Sequence, residues 1–223
     1  PGKALLPIGG RPMLLRVIDR LSLCQLLDSV VVVTTSRQEN KVIQKVCERE
    51  GIGCVVAPHL NDEWVVDRLK RAAEATSADA IVRVSPDCPL VDATLVDAVI
   101  AAAGDWFGAW AFDYSSNCLP RSFPDGLDCE YLTVETLKSL PEAEDATRYI
   151  WEHPARYRIA SVMNDEDLSA LNWTVNYQND LEFVRWVYER LPEGFGWRDV
   201  VNLLRQDHHG QYYRRLTLTG LPP

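Results

Sequence analysis

Three short runs of β-branched and apolar residues are separated by stretches of helical periodicity, and this alternation restricts the fold more than any other feature. The runs are SVVVVTT around 30–35, CVVAP at 54–58 and AIVRVS at 80–85. Continuous β-branched runs of this length mark strands covered on both faces. Between them lie RQENKVIQKVCERE at 37–50, closed by Gly51, and NDEWVVDRLKRAAEAT at 61–76, with Asn61 or Asp62 as its cap. DATLVDAVIAAAG follows at 92–104, with Asp92 as cap and Gly104 as stop. Strand and helix alternating at this spacing predict an α/β fold: a parallel sheet flanked by helices on both faces.

The pattern changes after residue 105. WAFDYSS at 110–116 reads as a strand, and NCLPRSFPDGLDCEYLT at 117–133, rich in proline and turn residues, as an excursion from the sheet. Short helices are expected at 134–140 and 144–152, strands at 157–164 and 172–175, and helices at 179–191 and 197–206. Leu181, Val184, Val187 and Leu191 form the apolar stripe of the first of these last two helices. With no internal repeat or low-complexity linker, residues 1–206 read as one domain with an arm around 110–133, and 207–223 as a peripheral tail.

A net charge of -9 argues against a general nucleic-acid binder, which needs a basic field. An anionic ligand would need a local cluster of cations inside an acidic protein. The six cysteines have no C-x-x-C spacing and read as reduced structural thiols of a cytoplasmic protein. No apolar stretch is long enough to span a membrane.

Two places carry chemistry. The opening PGKALLPIGGRPM sets Lys3 behind a Pro-Gly pair, a loop that suits close approach to phosphate oxygens; the other reading of Lys3 is a solvated side chain. Ligands of open parallel sheets bind beyond the carboxyl ends of strands. SPDCPL, after the third strand, holds Asp87 at such an end, as a Mg²⁺ ligand or as a turn-forming or capping residue. NWTVNYQND likewise takes a strand into a helix and puts Asn176 at the strand's end, with Asp180 one helical turn further.

Taken in order, PGKALLPIGGRPMLLRVIDRL, VVVVTT, WVVDRL, VRVSPDCPLVD, RSFPDGLDCE and NWTVNYQNDLEFV resemble the spore-coat-polysaccharide type of cytidylyltransferase, a group similar to CMP-Kdo synthetase and CMP-sialate synthetase. The resemblance covers roughly residues 1–190. It implies a three-layer, Rossmann-like fold of the nucleotide-diphospho-sugar transferase kind, and Mg²⁺-dependent transfer of CMP from CTP to a sugar or sugar acid for surface polysaccharide synthesis. It assigns Lys3 and Asp87 to catalysis, with Lys3, Asp67, Arg68 and Arg83 on the nucleotide side. It has Arg121, Asp125 and Asp128 face the acceptor or hold the loop that does, and gives Asp87 and Asn176 to the metal. Each has a plainer rival: a helix-surface pair for Asp67 and Arg68, a structural ion pair for Arg83, a turn residue for Asp125. A homodimer is also implied, with the apolar segment 110–133 near its contact.

The chain departs from the family pattern at several points. A strand and a glycine- and arginine-containing loop usually precede PGK and are expected ahead of residue 1. Asn176 stands where Asp is common, Asn172 where a basic residue is usual, and Pro86 where glycine is frequent; EDATRYI at 144–150 lacks a histidine. Two other functions therefore stand beside the enzyme: a non-catalytic relative that keeps the fold for binding or assembly, and a nucleotide-sugar glycosyltransferase. The latter should show an acidic D-x-D pair, whereas SPDCPL offers one acid.

Overall fold

In the computed structural model, which describes residues 2–58, 64–104, 111–141 and 146–207, the alternation expected from the sequence is realised. Strand β1 (Pro7–Ile8) and strand β2 (Arg11–Pro12) form a minimal antiparallel hairpin. Gly9 and Gly10 close it with positive φ at both positions, a turn that suits glycine. Helix α1 (Met13–Leu21) follows directly on Pro12. Next come β3 (Val31–Thr35), α2 (Lys41–Glu50), β4 (Gly53–Ala57), α3 (Val65–Thr76), β5 (Ala80–Val84) and α4 (Ala93–Ala103). The expected cap of α3, Asn61 or Asp62, lies outside the described residues. Asp92 does cap α4, accepting the Leu95 amide at 3.1 Å, and Gly51 ends α2 in the left-handed conformation.

The second half adds β6 (Tyr114–Ser116), β7 (Cys129–Thr133), α5 (Val134–Ser139), α6 (Ala146–Glu152), β8 (Ile159–Ser161), α7 (Gln178–Arg190) and α8 (Trp197–Gln206). Strands β3 and β4 pair in parallel, and a four-stranded sheet runs β5-β7-β6-β8. In that sheet β7 is antiparallel to both its neighbours, so the sheet is mixed; the alternation that predicted a parallel sheet ends at β5. The excursion leaves the sheet after β6 and returns as β7. Its apolar residues Phe123 and Leu127 are buried within the chain. Residues 172–175 make a single bridge, Asn172 to Asp125, rather than the expected strand.

Side chains alternate across β7, and each face has its own core. Cys129 and Tyr131 join residues of α1, α4, α7 and α8, among them Leu95, Val99, Val184, Val187 and Leu204. Leu132 joins Val66 and Ala73 of α3, Leu137 of α5 and Ile150 of α6. The fold is thus three layers. Within the described residues β3 pairs with β4 and β5 with β7, and the edges of β3 and β5 that remain face one gap. Val31, Val33, Val82 and Val84 line two adjoining cavities there, of about 390 and about 260 Å³. Among the described residues no helix is long and apolar enough to cross a membrane, and all six cysteines are free.

Candidate active site

Beyond the carboxyl end of β5 the chain turns through Ser85, Pro86 and Asp87. The Ser85 hydroxyl donates to Asp87 Oδ1 at 2.6 Å, and the Asp87 carbonyl accepts the Val175 amide at 2.9 Å. The carboxylate is therefore fixed at both ends of its residue. Lys3, in the 3₁₀ turn Lys3–Leu5 ahead of the hairpin, donates through Nζ to Asp87 Oδ2 at 2.8 Å and to Asn176 Oδ1 at 3.4 Å. Residues separated by 84 and 173 positions thus converge on one ammonium. Burial pushes the Asp87 carboxyl up, but its hydrogen bonds to Lys3 and Ser85 outweigh this and hold it below the ordinary range.

Asn176 stands two residues ahead of α7, next to its cap residue Tyr177. Its amide and that of Tyr177 both donate to Asp180 Oδ2, at 3.0 and 2.8 Å. Asp180 therefore closes the start of α7, and this oxygen is turned to backbone amides rather than to Lys3 and Asp87.

The acceptor-side candidates form a second group. Arg121 and Asp128 make a two-pronged ion pair with both N–O distances 2.6 Å. Asp125 accepts from the Thr174 hydroxyl at 2.8 Å, and its backbone exchanges bonds with Leu171 and Trp173. Gly126, at φ +100°, presses so closely on this strip that a Cβ there would stand 2.6 Å from the Thr174 nitrogen. The strip 172–175 thus bridges the 121–128 loop to Asp87. Cys88 reports the assembly: its thiol is pushed up chiefly by burial and further by the charges of Asp87, Asp128 and Asp125.

The nucleotide-side candidates spread along the gap. Arg68 of α3 and Arg83 of β5 line the 260 Å³ cavity, together with Ala4, Ser85 and Pro86. Asp67 takes a different part, accepting from Arg71 at 2.7 Å across one helical turn. Arg83 Nη1 donates to Glu130 Oε2 at 2.6 Å. Glu130 and Ser85 were not singled out from the sequence. Glu130 stands inside the quoted motif RSFPDGLDCE, but its link to Arg83 comes from the β5–β7 register, which the sequence does not display.

A Mg²⁺ ion can be tested against these residues. Among the described residues no group of three or more His, Cys, Asp or Glu side chains is arranged to hold a metal. Asp87 Oδ2 and Asn176 Oδ1 nevertheless converge on one cationic point, the position of Lys3 Nζ. Mg²⁺ commonly takes one or two carboxylates and completes its shell with substrate phosphates and water. One carboxylate and one amide oxygen fit that role.

Beyond the carboxyl end of β5 a cation and a hard-oxygen pair thus sit beside a cavity lined by two guanidinium groups, in an α/β protein with the nucleotidyltransferase fold. The chain belongs to the cytidylyltransferase family, whose model matches residues 1–118. It is 24% identical over 207 residues to the spore coat polysaccharide biosynthesis protein SpsF of Bacillus subtilis, covering 86% of this chain and 82% of that one. It is also 36% identical over 101 residues to a 3-deoxy-manno-octulosonate cytidylyltransferase of Pelobacter propionicus, covering 45% of this chain and 37% of that one. With an uncharacterized protein of Methanocaldococcus jannaschii it shares 29% identity over 164 residues, 70% of this chain; there it spans 63% of the relative's length. The fold is that of a cytidylyltransferase structure from Leptospira borgpetersenii, with a TM-score of 0.84, 23% identity, and coverage of 93% of this chain and 88% of that one.

Proposed function

We propose that the protein is an enzyme that transfers CMP from CTP to a sugar or sugar acid, releasing pyrophosphate, in the synthesis of a surface polysaccharide. The convergence of Lys3, Asp87 and Asn176 on one point carries this reading. In the reaction an acceptor oxygen attacks the α-phosphorus of CTP. The bond from that phosphorus to the bridging oxygen breaks, and the electron pair leaves with pyrophosphate. The acceptor's hydroxyl proton passes to solvent. Negative charge grows on the leaving group, so catalysis is positioning plus cationic stabilisation.

Lys3 supplies a positive charge for the triphosphate, and Arg83 and Arg68 bind its outer phosphates from the cavity wall. Asp87 and Asn176 would hold Mg²⁺, which when bound neutralises phosphate charge and orients the triphosphate. Lys3 leaves the two oxygens as it turns to the phosphates. Arg121, kept rigid by Asp128, and Asp125, fixed by Thr174, face the acceptor. The resemblance also implies a homodimer; solution scattering decides this, since a lone chain of this length has a radius of gyration of roughly 17 Å.

The test is calorimetric titration with CTP, UTP, ATP and GTP, with and without Mg²⁺, followed by an assay of pyrophosphate release over a panel of sugars and sugar acids. Selective CTP binding with release on one acceptor class is expected. Selective binding without release on any acceptor would favour the binding relative, for which the neutral Asn176 is the specific observation. Equal binding of all four nucleotides would sink the cytidylyl reading.

A further inference from the structure

We propose that Glu130 is a positioning residue for the phosphate side of the site: it fixes the Arg83 guanidinium in the cavity between β3 and β5 and acts on a bound triphosphate only through Arg83. This rests on the nucleotidyl-transfer reading above.

The argument starts from register. Arg83 on β5 lies directly opposite Glu130 on β7. Side chains two apart on a strand share a face, so Arg83 and Ser85 point the same way along β5. Ser85 holds Asp87, and Arg83 is two residues deeper on the same rail. The cavity that Arg83 lines also includes Ala4, next to Lys3, and Ser85 and Pro86, which lead into Asp87. Arg83 therefore belongs to the same opening as the proposed centre.

Glu130 is held from behind. Its Oε1 accepts from the Tyr114 hydroxyl at 2.6 Å, and that hydroxyl accepts from Trp151 Nε1 of α6 at 2.9 Å. Its Oε2 accepts from Arg83 at 2.6 Å, and the same Arg83 nitrogen lies 3.3 Å from the Thr147 hydroxyl. The side-chain exposure rises along this series, from 5% at Glu130 to 28% at Arg83. A buried acid fixed by three elements thus presents a cation to the cavity.

The fold alone gives little reason for the pair. Taking a carboxylate out of water is costly, and apolar replacements of buried ion pairs are often neutral or stabilising. Burial indeed pushes the Glu130 carboxyl up, above its ordinary range, despite Arg83 and Tyr114. A use for Arg83 outside the core supplies the missing reason. The neighbouring Arg68 on the same wall gives the cavity two guanidinium groups in a chain of net charge -9. Guanidinium is the group suited to planar, two-pronged recognition of phosphate, and its orientation decides whether it can do so.

The experiment is a double-mutant cycle read as affinity for inorganic triphosphate and, separately, for CTP, by calorimetry well below the melting transition. Glu130→Gln keeps the shape and removes the charge. It should weaken inorganic triphosphate binding on the order of ten-fold, and Arg83→Lys should do the same. In the Arg83→Lys background, Glu130→Gln should change affinity less than two-fold. Tyr114→Phe loosens Glu130 without removing its charge, and should weaken binding two- to three-fold even if Glu130→Gln fails to fold. Wild-type affinity in Tyr114→Phe and Glu130→Gln, or an equal further loss in the Arg83→Lys background, overturns the proposal. So does a wild-type protein that binds no triphosphate. A wild type that binds inorganic triphosphate without preferring CTP overturns the cytidylyl reading instead, and the Glu130 result stands on its own.

Discussion

At the scale of single residues, the Lys3 ammonium occupies the point on which Asp87 Oδ2 and Asn176 Oδ1 converge, the point to which the proposed function gives Mg²⁺. Asp87 should thus be indispensable to the site and dispensable to the fold. Its backbone carbonyl keeps the Val175 amide whatever the side chain, and the carboxylate faces Lys3 and Ser85 rather than the core. Asp87→Ala is expected to abolish Mg²⁺-dependent CTP binding and to shift the thermal midpoint by less than about 4 °C, within the usual effect of roughly 1 kcal/mol. Calorimetry and a melting curve check both. The depressed Asp87 pKa adds a signed pH effect. The pair's stabilisation is complete above the unfolded value of 3.8 and is lost as pH falls through the lower folded value. The difference in melting temperature between wild type and Asp87→Asn should accordingly shrink as pH drops below that value. Asn176→Asp tests the metal. With an Asp180 oxygen engaged by two backbone amides, a new carboxylate at 176 adds charge beside Lys3. Mg²⁺ binding in the presence of CTP should tighten about ten-fold or more; an unchanged midpoint would remove Asn176 from the metal site. The convergence of Lys3, Asp87 and Asn176 could be anticipated in part, since Lys3 follows a Pro-Gly pair, Asp87 follows β5, and Asn176 follows a run that reads as a strand but makes a single bridge. Glu130 could not, because a buried acid is defined by its cross-strand partner.

At the scale of elements, α2 and α4 followed from their patterns and caps, since caps act within a few residues. What the sequence left unread was long-range pairing. NWTV looks like a strand but makes one bridge, because its neighbours are the irregular 121–128 loop and the Asp87 turn rather than a regular strand. DCEYLT was part of an excursion and became the interior strand β7, since its two faces feed two separate cores. Gly126 is the joint between loop and strip. A methyl there would meet Thr174 and Trp173 backbone atoms, which cannot turn aside as a side-chain tip can, at a φ of +100° that L residues rarely adopt. Gly126→Ala should cost about 2–4 kcal/mol from strain and overpacking together. It should also weaken acceptor binding more than CTP binding, because Arg121, Asp125 and Asp128 share the loop. Chemical denaturation and separate titrations decide; a loss below 1 kcal/mol would mean the strip yields easily.

At the scale of the molecule, the gap between β3 and β5 separates the parallel pair from the four-stranded sheet among the described residues. Every residue of β5, Ala80 to Val84, is only half-buried, although β5 carries helices before and after it. Strand edges that face one another across apolar walls present backbone donors and acceptors at a spacing that a further strand can meet. Ala4, next to Lys3, lines this gap. A protein that carries an extended segment of alternating apolar residues joined ahead of Pro1 should therefore bury Val31, Val33, Val82 and Val84. At about 25 cal/mol per Å² of apolar surface removed from water, even 100 Å² offers about 2.5 kcal/mol before chain ordering. The melting temperature should rise by roughly 5 °C. Hydrogen exchange gives the sharper reading, because pairing protects particular amides. Those of β3 and β5 that point into the gap should slow on strand addition, while those of β4 and β8, which lie away from it, should not. Equal exchange in both groups, with no gain in melting temperature, would show that the gap does not accept a strand.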